Sequence, residues 1–374
     1  MSPGPRLQRL ALRRTRAVIV GAILLVTAAA ITAVLLWPVK TQVPPPAVSK
    51  PVPAPRYVAE FGGTEPDPLI EPVGLAVAGG RVYVADAARG EVVAYTPDGT
   101  RAFAFGKGRL ATPLYIAASP LDGRLYVSDR KASGIYVFDL HGNYIRTFVP
   151  GATGASAEGW KPLALAFSDS GTMYVTDAAV RQRILKVGPT GTLVADAGRF
   201  VPAGASGTPV SYANGIAVSG DRVLVADSNN QRLLMFDPDL HYEDVARFDG
   251  LPRGMCTVSW GAAPVFAVAN TVGNSVALVD RDGRTLHSLG EQGSGDGRLS
   301  EPTGVAHDGK DRLYVADSGN RRISVWRVVG FPRPLTTPTR APNLRPRIAG
   351  SIAVAGIVAA LTALFLCTRA RKRI

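Results

Sequence analysis

"LYVADSGNRRISVWRV" (313–328) reads as two strands joined by a short polar loop. Aromatic and β-branched residues fill both runs, and Asp-Ser-Gly-Asn supplies turn chemistry between them. The first strand returns earlier as "VYVAD" (82–86), "LYVSD" (125–129), "MYVTD" (173–177), "VLVAD" (223–227) and "VFAVAN" (265–270). Their last residues, Asp86, Asp129, Asp177, Asp227, Asn270 and Asp317, are spaced by 43, 48, 50, 43 and 47 positions.

Each copy is preceded by an apolar strand led in by Pro-x-Gly or a relic of it: "EPVGLAV", "TPLYIAA", "KPLALAF", "YANGIAV", "LPRGMCTV" and "EPTGVAH". Each is followed by a third strand, such as "EVVAY" or "RLLMF". In the first five units a turn such as "TPDGT", "DLHGN" or "DRDGR" then leads to a fourth strand, typified by "RAFAFG" and "TLHSLG". Four antiparallel strands at this period, with no helical periodicity between them, predict a β-propeller blade. Alternation within the strands suits sheets packed face to face, and Asp-Gly favours tight hairpins because Gly tolerates positive φ.

The last unit lacks its fourth strand. After 328 the chain runs into "GFPRPLTTPTRAPNLRPR" (330–347). The partner stands at the other end: "RYVAEFGG" (56–63) matches the fourth-strand pattern "RAFAFGKG" (101–108). It is expected to pair with "ISVW" of the last unit and close the ring, which removes the exposed sheet edges of an open array. The fold class is therefore all-β, a six-bladed propeller over residues 57–330 sealed by its N-terminal strand.

Pro-x-Gly-hydrophobic-Ala-Val followed by Tyr-Val-Ala-Asp-Ser-Gly-Asn-x-Arg-Ile resembles the NHL repeat. Units 6 and 4 carry it best ("YVADSGNRRI", "LVADSNNQRL"), and units 2, 3 and 5 are degenerate. The resemblance implies the propeller. It leaves activity open, because NHL-type propellers include scaffolds, receptor sensor domains, nucleic-acid binders and a few lyases.

The ends are of another character. The 374 residues carry a formal net charge of +13, which alone would suggest an anionic partner such as nucleic acid. All 29 Asp and Glu fall between Tyr57 and Gly330 with 26 of the 42 Lys and Arg, leaving that region near −3. The excess basicity belongs to the tails, and no nucleic-acid partner is expected. Residues 17–37 and 348–367 are uncharged apolar runs. As helices they would each be about 30 Å long, the thickness of the bilayer's hydrocarbon core. Arg6, Arg9, Arg13, Arg14 and Arg16 precede the first, and Arg369, Arg371, Lys372 and Arg373 follow the second. The positive-inside rule places both clusters in the cytoplasm.

The expected organisation is a basic tail (1–16), a transmembrane helix (17–37), a Pro-rich linker (38–56), the propeller (57–330), a second Pro-rich linker (331–347), a second transmembrane helix (348–367) and a basic tail (368–374). The protein would be a two-span cell-membrane protein with its propeller outside. A cleavable signal peptide is the rival reading of the first run, but that run exceeds the usual length of about 7–15 residues and no small-x-small site follows closely. Cys367 ends the second run, and Cys256 is read as a small buried residue.

The repeated Asp could suggest a row of metal ligands. Six rotationally related copies argue instead for repeat building, with each carboxylate accepting N–H groups of its own loop. Arg232 and Arg322, five residues after their Asp, are expected to brace the same loop. If each first strand runs from an upper face downward, the Pro-x-Gly lead-ins ring the upper channel mouth and the Asp-Gly turns lie below. The mouth then offers Glu71, Lys161, Asn214, Arg253 and Glu301 as candidate ligand-binding residues.

Lyases with NHL-like blades that cleave peptidyl-hydroxyglycine use histidines on a channel metal. Here His141 and His241 fall in lower turns, His287 in an outer strand and His307 at the lower end of an inner strand, so three could hardly converge on one zinc. Propeller lactonases use a Glu, Asn and Asp cluster on a divalent cation; Glu71 and Asn214 supply part of it, with no third ligand in view. No catalytic residue, metal or cofactor is assigned. The favoured reading is a membrane-tethered binding, sensor or scaffold module for an extracytoplasmic protein, glycan or cell-wall ligand. The alternative is a divalent-metal-dependent hydrolase or lyase, lactonase-like or hydroxyglycine-lyase-like, at the channel mouth.

Overall fold

The computed structural model describes residues 54–64, 66–148, 160–179, 182–198, 210–258 and 264–329. Among them are six four-stranded antiparallel sheets, the blades. Blade 1 runs outward from the channel as Pro72–Ala78, Arg81–Asp86, Glu91–Tyr95 and Arg101–Phe105. Blades 2 to 5 repeat that order from first strands Pro113–Ala118, Pro162–Phe167, Ala213–Ser219 and Pro252–Val258. First strands of neighbouring blades touch all the way round, including blade 6 against blade 1.

Blade 6 is composite. Pro302–His307, Arg312–Asp317 and Arg322–Arg327 come from the C-terminal side, and Arg56–Phe61 completes the sheet. The closing register pairs Arg56 with Arg327, Tyr57 with Trp326, Glu60 with Ser324 and Phe61 with Ile323, with a bulge between Tyr57 and Ala59. The Tyr57 and Trp326 rings meet edge-on at 5.8 Å, and Phe61 packs 4.8 Å from Tyr95 of blade 1. The expected closing strand is the observed one.

The core is a set of layers between blades. Tyr83, Val92 and Phe105 of blade 1 pack with Leu125, Val127 and Phe138 of blade 2. On the other side of blade 1, Val82, Val84 and Tyr95 meet Tyr314, Ile323 and Val325 of blade 6. Each fully buried aliphatic or aromatic side chain contributes about 1.5–3 kcal/mol. Because the middle strands are covered on both faces, "EVVAY" and "LYVSD" are buried throughout, whereas the outer strand "RAFAF" alternates. Simple alternation thus fails for the middle strands, and the outer strands of blades 2, 4 and 5 are mostly exposed. The tyrosine of the repeated "YV" adds a polar tie, since Tyr83 and Tyr174 donate to the carbonyls of Leu140 (2.8 Å) and Pro238 (2.7 Å) in the next blade's turn.

The Pro-x-Gly glycines exist for the ring. A Cβ on Gly74, Gly215, Gly254 or Gly304 would collide with the carbonyl oxygen of Leu114, Arg253, Thr303 or Val73, each on the next blade's first strand. Only Gly lets neighbouring backbones approach so closely. Blades 2 and 3 depart from the rule, with Tyr115 and Ala164 at that position.

No helix among the described residues is long and apolar enough to cross a membrane. The two expected spans, 17–37 and 348–367, and the linker 331–347 lie outside the described residues.

Candidate functional site

The strand-end carboxylates are committed to the fold. Asp86, Asp129, Asp227 and Asp317 are fully buried. Asp86 accepts the backbone N–H groups of Ile70 (2.8 Å), Glu71 (3.1 Å) and Arg89 (3.2 Å). Asp317 accepts Ser300 N–H (2.7 Å) and the Arg322 Nε–H (2.8 Å), and Arg232 serves Asp227 likewise at 2.7 Å. Asn270 fills the place in blade 5 by accepting Leu251 N–H (3.1 Å) and Gly273 N–H (3.0 Å). Own-loop bonds are present as expected, from Arg89, Ala132 and Ala179 N–H, and in every blade the strand-end residue also binds the lead-in to the first strand. A buried carboxylate needs several donors, and the two loops of one sheet end supply them. The bond holds the lead-in residues at the channel mouth.

A cavity of about 230 Å³ opens at that mouth. Glu71, Asn214, Arg253 and Glu301 line it; Lys161, exposed on blade 3, does not. The structure adds Tyr115, Arg130 and Tyr212, which the sequence reading missed. Tyr115 is the large side chain in the position that blades 1, 4, 5 and 6 reserve for Gly, and that departure was the available signal. Tyr212 and Glu301 precede their first strands at φ of +58° and +48°. Their N–H groups are held by the preceding blade, through Gln182 Oε1 (2.6 Å) and Asn274 Oδ1 (2.9 Å).

The mouth is lopsided. One residue after the lead-in proline, or its counterpart Ala213, blades 1 to 3 carry Val73, Leu114 and Leu163, while blades 4 to 6 carry Asn214, Arg253 and Thr303. Several polar groups there already have work. Thr271 donates to the Pro302 carbonyl of the next blade (2.8 Å), and Ser318 and Thr303 donate to the Pro72 carbonyl across the closure. Arg253 and Asn214 differ, making no side-chain hydrogen bond or ion pair among the described residues, and the Arg253 Nε is buried. Burial pushes the Tyr115 phenol up to about 12, with the Arg253 charge drawing it back and Tyr212 raising it. Arg253 of blade 5 and Tyr115 of blade 2 line the same cavity from opposite blades of the ring.

The lower half of the channel holds a second cavity of about 340 Å³, lined by first strands of all six blades. Cys256 and His307 are in its wall. Cys256 is partly exposed to the channel rather than fully buried as expected, yet protein surrounds its thiol and pushes it up to about 12, leaving it protonated and unreactive. Burial likewise pushes His307 down, and its Nδ1 accepts the Gly309 N–H at 3.1 Å. Among the described residues no three His, Cys, Asp or Glu side chains are grouped to hold a metal ion.

Residues 211–236 match the NHL repeat. That segment is the lead-in and first three strands of blade 4. No curated protein matches the chain. Among solved structures it is similar to a streptogramin B lyase at 14% identity and TM-score 0.52, covering 74% of this chain and 98% of that one. It is also similar to the PQQ-bound aldose sugar dehydrogenase of Streptomyces coelicolor, at 16% identity over 75% of this chain and 99% of that one, TM-score 0.52. A gluconolactonase of Xanthomonas campestris matches at 17% identity over 77% and 99% of the two chains, TM-score 0.53. At such identities the likeness is one of fold, the propeller, and of nothing finer.

Proposed function

We propose that the protein is a membrane-displayed binding or sensor module whose upper channel mouth holds a small polar ligand. One observation carries the reading: Arg253 and Asn214 line a mouth cavity without partners among the described residues, while neighbouring hydroxyls are spent on joining blades. Groups left unsatisfied at a concave, asymmetric place are what a ligand satisfies.

Display follows from chain entry and exit. Arg56 and Arg327 are cross-strand partners, so the chain joins and leaves blade 6 side by side, at the end opposite the mouth. If 17–37 and 348–367 span the membrane with Pro-rich linkers as semi-rigid spacers, the mouth points away from the bilayer. The alternative is a hydrolase or lyase at the same mouth, as the fold is shared with a lyase and a gluconolactonase. A divalent-metal version needs a ligand set that the described residues do not assemble.

The test is a metabolite screen by thermal shift on the full-length chain in detergent, followed by hydrogen exchange with each hit. Protection at the lead-ins around Glu71, Tyr212, Arg253 and Glu301 is expected, with the hit recovered unchanged. Protection confined to the Asp-Gly turns would refute the mouth reading. Consumption of the hit would establish the enzymatic alternative, and loss of that turnover with chelator would make it metal-dependent.

A further inference from the structure

The charges of the mouth narrow the ligand, and this step rests on the mouth reading above. Arg253 lies on blade 5, with its Nε buried and without a partner among the described residues. The rest of this half-buried guanidinium stays open to the cavity, and its planar fork fits a carboxylate. Tyr115, on the opposite blade, lines the same cavity and offers a hydroxyl, which like any phenol is protonated at neutral pH. Asn214, buried beside Arg253 on blade 4, adds an amide with no partner among the described residues.

The rim carries the opposite sign. Glu71 and Glu301 are exposed, belong to the adjoining blades 1 and 6, and make no ion pair among the described residues. Among the described residues, the only other charged side chain lining the cavity is Arg130, exposed on blade 2 with Tyr115. Two carboxylates on the 6–1 side repel a dianion such as a phosphate ester, and attract a cation. The cavity, about 230 Å³, is smaller than the roughly 300–1,000 Å³ of sites for drug-sized molecules.

We infer that the ligand is a small zwitterion, a free amino acid or dipeptide, whose carboxylate meets Arg253, Asn214 and Tyr115 and whose amine meets Glu71 and Glu301. No bond is made or broken in this role. Arg253 at depth sets orientation, and the glutamates at the rim reject N-blocked analogues.

The experiment is calorimetry on the full-length chain in detergent, with the common L-amino acids and glycyl dipeptides as probes. Each is paired with its N-acetyl and its carboxamide form. At least one free zwitterion should bind, and blocking either end should weaken it about tenfold or more. Arg253→Gln should remove the preference for the carboxylate over the carboxamide. Glu71→Gln with Glu301→Gln should remove the preference for the free amine, and circular dichroism checks that both variants fold. A zwitterion that tolerates both blocking groups overturns the inference, as does failure of every free zwitterion. If a neutral sugar or inorganic phosphate instead protects the mouth from exchange, the inference fails and the mouth reading stands. Protection confined to the lower turns removes both.

Discussion

Arg322 of the last blade is ion-paired with Glu60 of the first strand, 262 positions away in sequence. The same guanidinium donates its Nε–H to buried Asp317 at 2.8 Å and Nη2–H to the carbonyls of Gly295 (3.2 Å) and Arg298 (2.9 Å). One side chain thus serves the repeat, through Asp317, and the closure, through Glu60.

These two duties differ in energy. Arg322→Ala strands a buried carboxylate and should cost about 3–5 kcal/mol, whereas Glu60→Ala removes a half-exposed partner and should cost about 0–1 kcal/mol. Deleting 56–61 opens the edge of blade 6 and should lower the melting temperature far more than either. Equal effects of the two point variants would show that the closure, not Asp317, is what Arg322 supports. An unchanged melting temperature after the deletion would refute closure by this strand.

Close approach between first strands can be separated from backbone strain. Gly304→Ala pushes a Cβ into the Val73 carbonyl, and overpacking of this kind costs about 1–3 kcal/mol or more. Gly309→Ala, at φ +74° with nothing within 4 Å, meets strain alone and should cost about 1 kcal/mol. Denaturant melts should rank Gly304→Ala as the more damaging. The reverse order would mean that the blades slide apart without cost.

Two histidines should titrate in opposite directions. The His241 Nδ1 lies 2.9 Å from Asp237 Oδ2 in the lower turn of blade 4, and that hydrogen bond and charge raise its pKa above the ordinary value. A raised folded-state value favours the protonated form, so this contribution is complete below the unfolded pKa, about 6.5, and fades as pH rises through the folded one. Burial depresses His307, so its contribution is present above about 6.5 and is lost as pH falls. NMR titration of the ring protons should put His241 above His307, and His241→Gln should abolish the first trend. The opposite order would contradict both environments.

Topology has its own test. Single cysteines placed in the exposed turns at Asp98 and Asp282, in a chain with Cys256→Ser and Cys367→Ser, should react with a membrane-impermeant maleimide on intact cells. Cysteines in 1–16 or 368–374 should react only after lysis. Labelling of the tails on intact cells would reverse the orientation, and a mature N-terminus near residue 38 would remove the first anchor alone.

Much of this protein was legible in its residues because a repeat writes each local requirement six times. The period of the "YVAD" strand, the Asp at its end and the Arg five residues on all report contacts within one blade. "RYVAEFGG" disclosed the closure because a displaced strand keeps the pattern of its siblings. The mouth was partly readable for the same reason: Glu71, Asn214, Arg253 and Glu301 were expected at the mouth and do line its cavity.

What the residues alone did not decide is which side chains share that cavity and which are free to act in it. Lys161 has a lead-in position like Glu71 yet lies outside. Thr271 and Ser318 look available in sequence, but ring closure sets the next blade's carbonyl within reach of their hydroxyls. Tyr115 reads as a degenerate glycine until blade 5 stands opposite blade 2 and sets Arg253 in the same cavity. Contacts within a blade depend on short stretches of chain and leave a periodic trace. Contacts across the channel depend on the summed rotation of several blades, which no single repeat encodes.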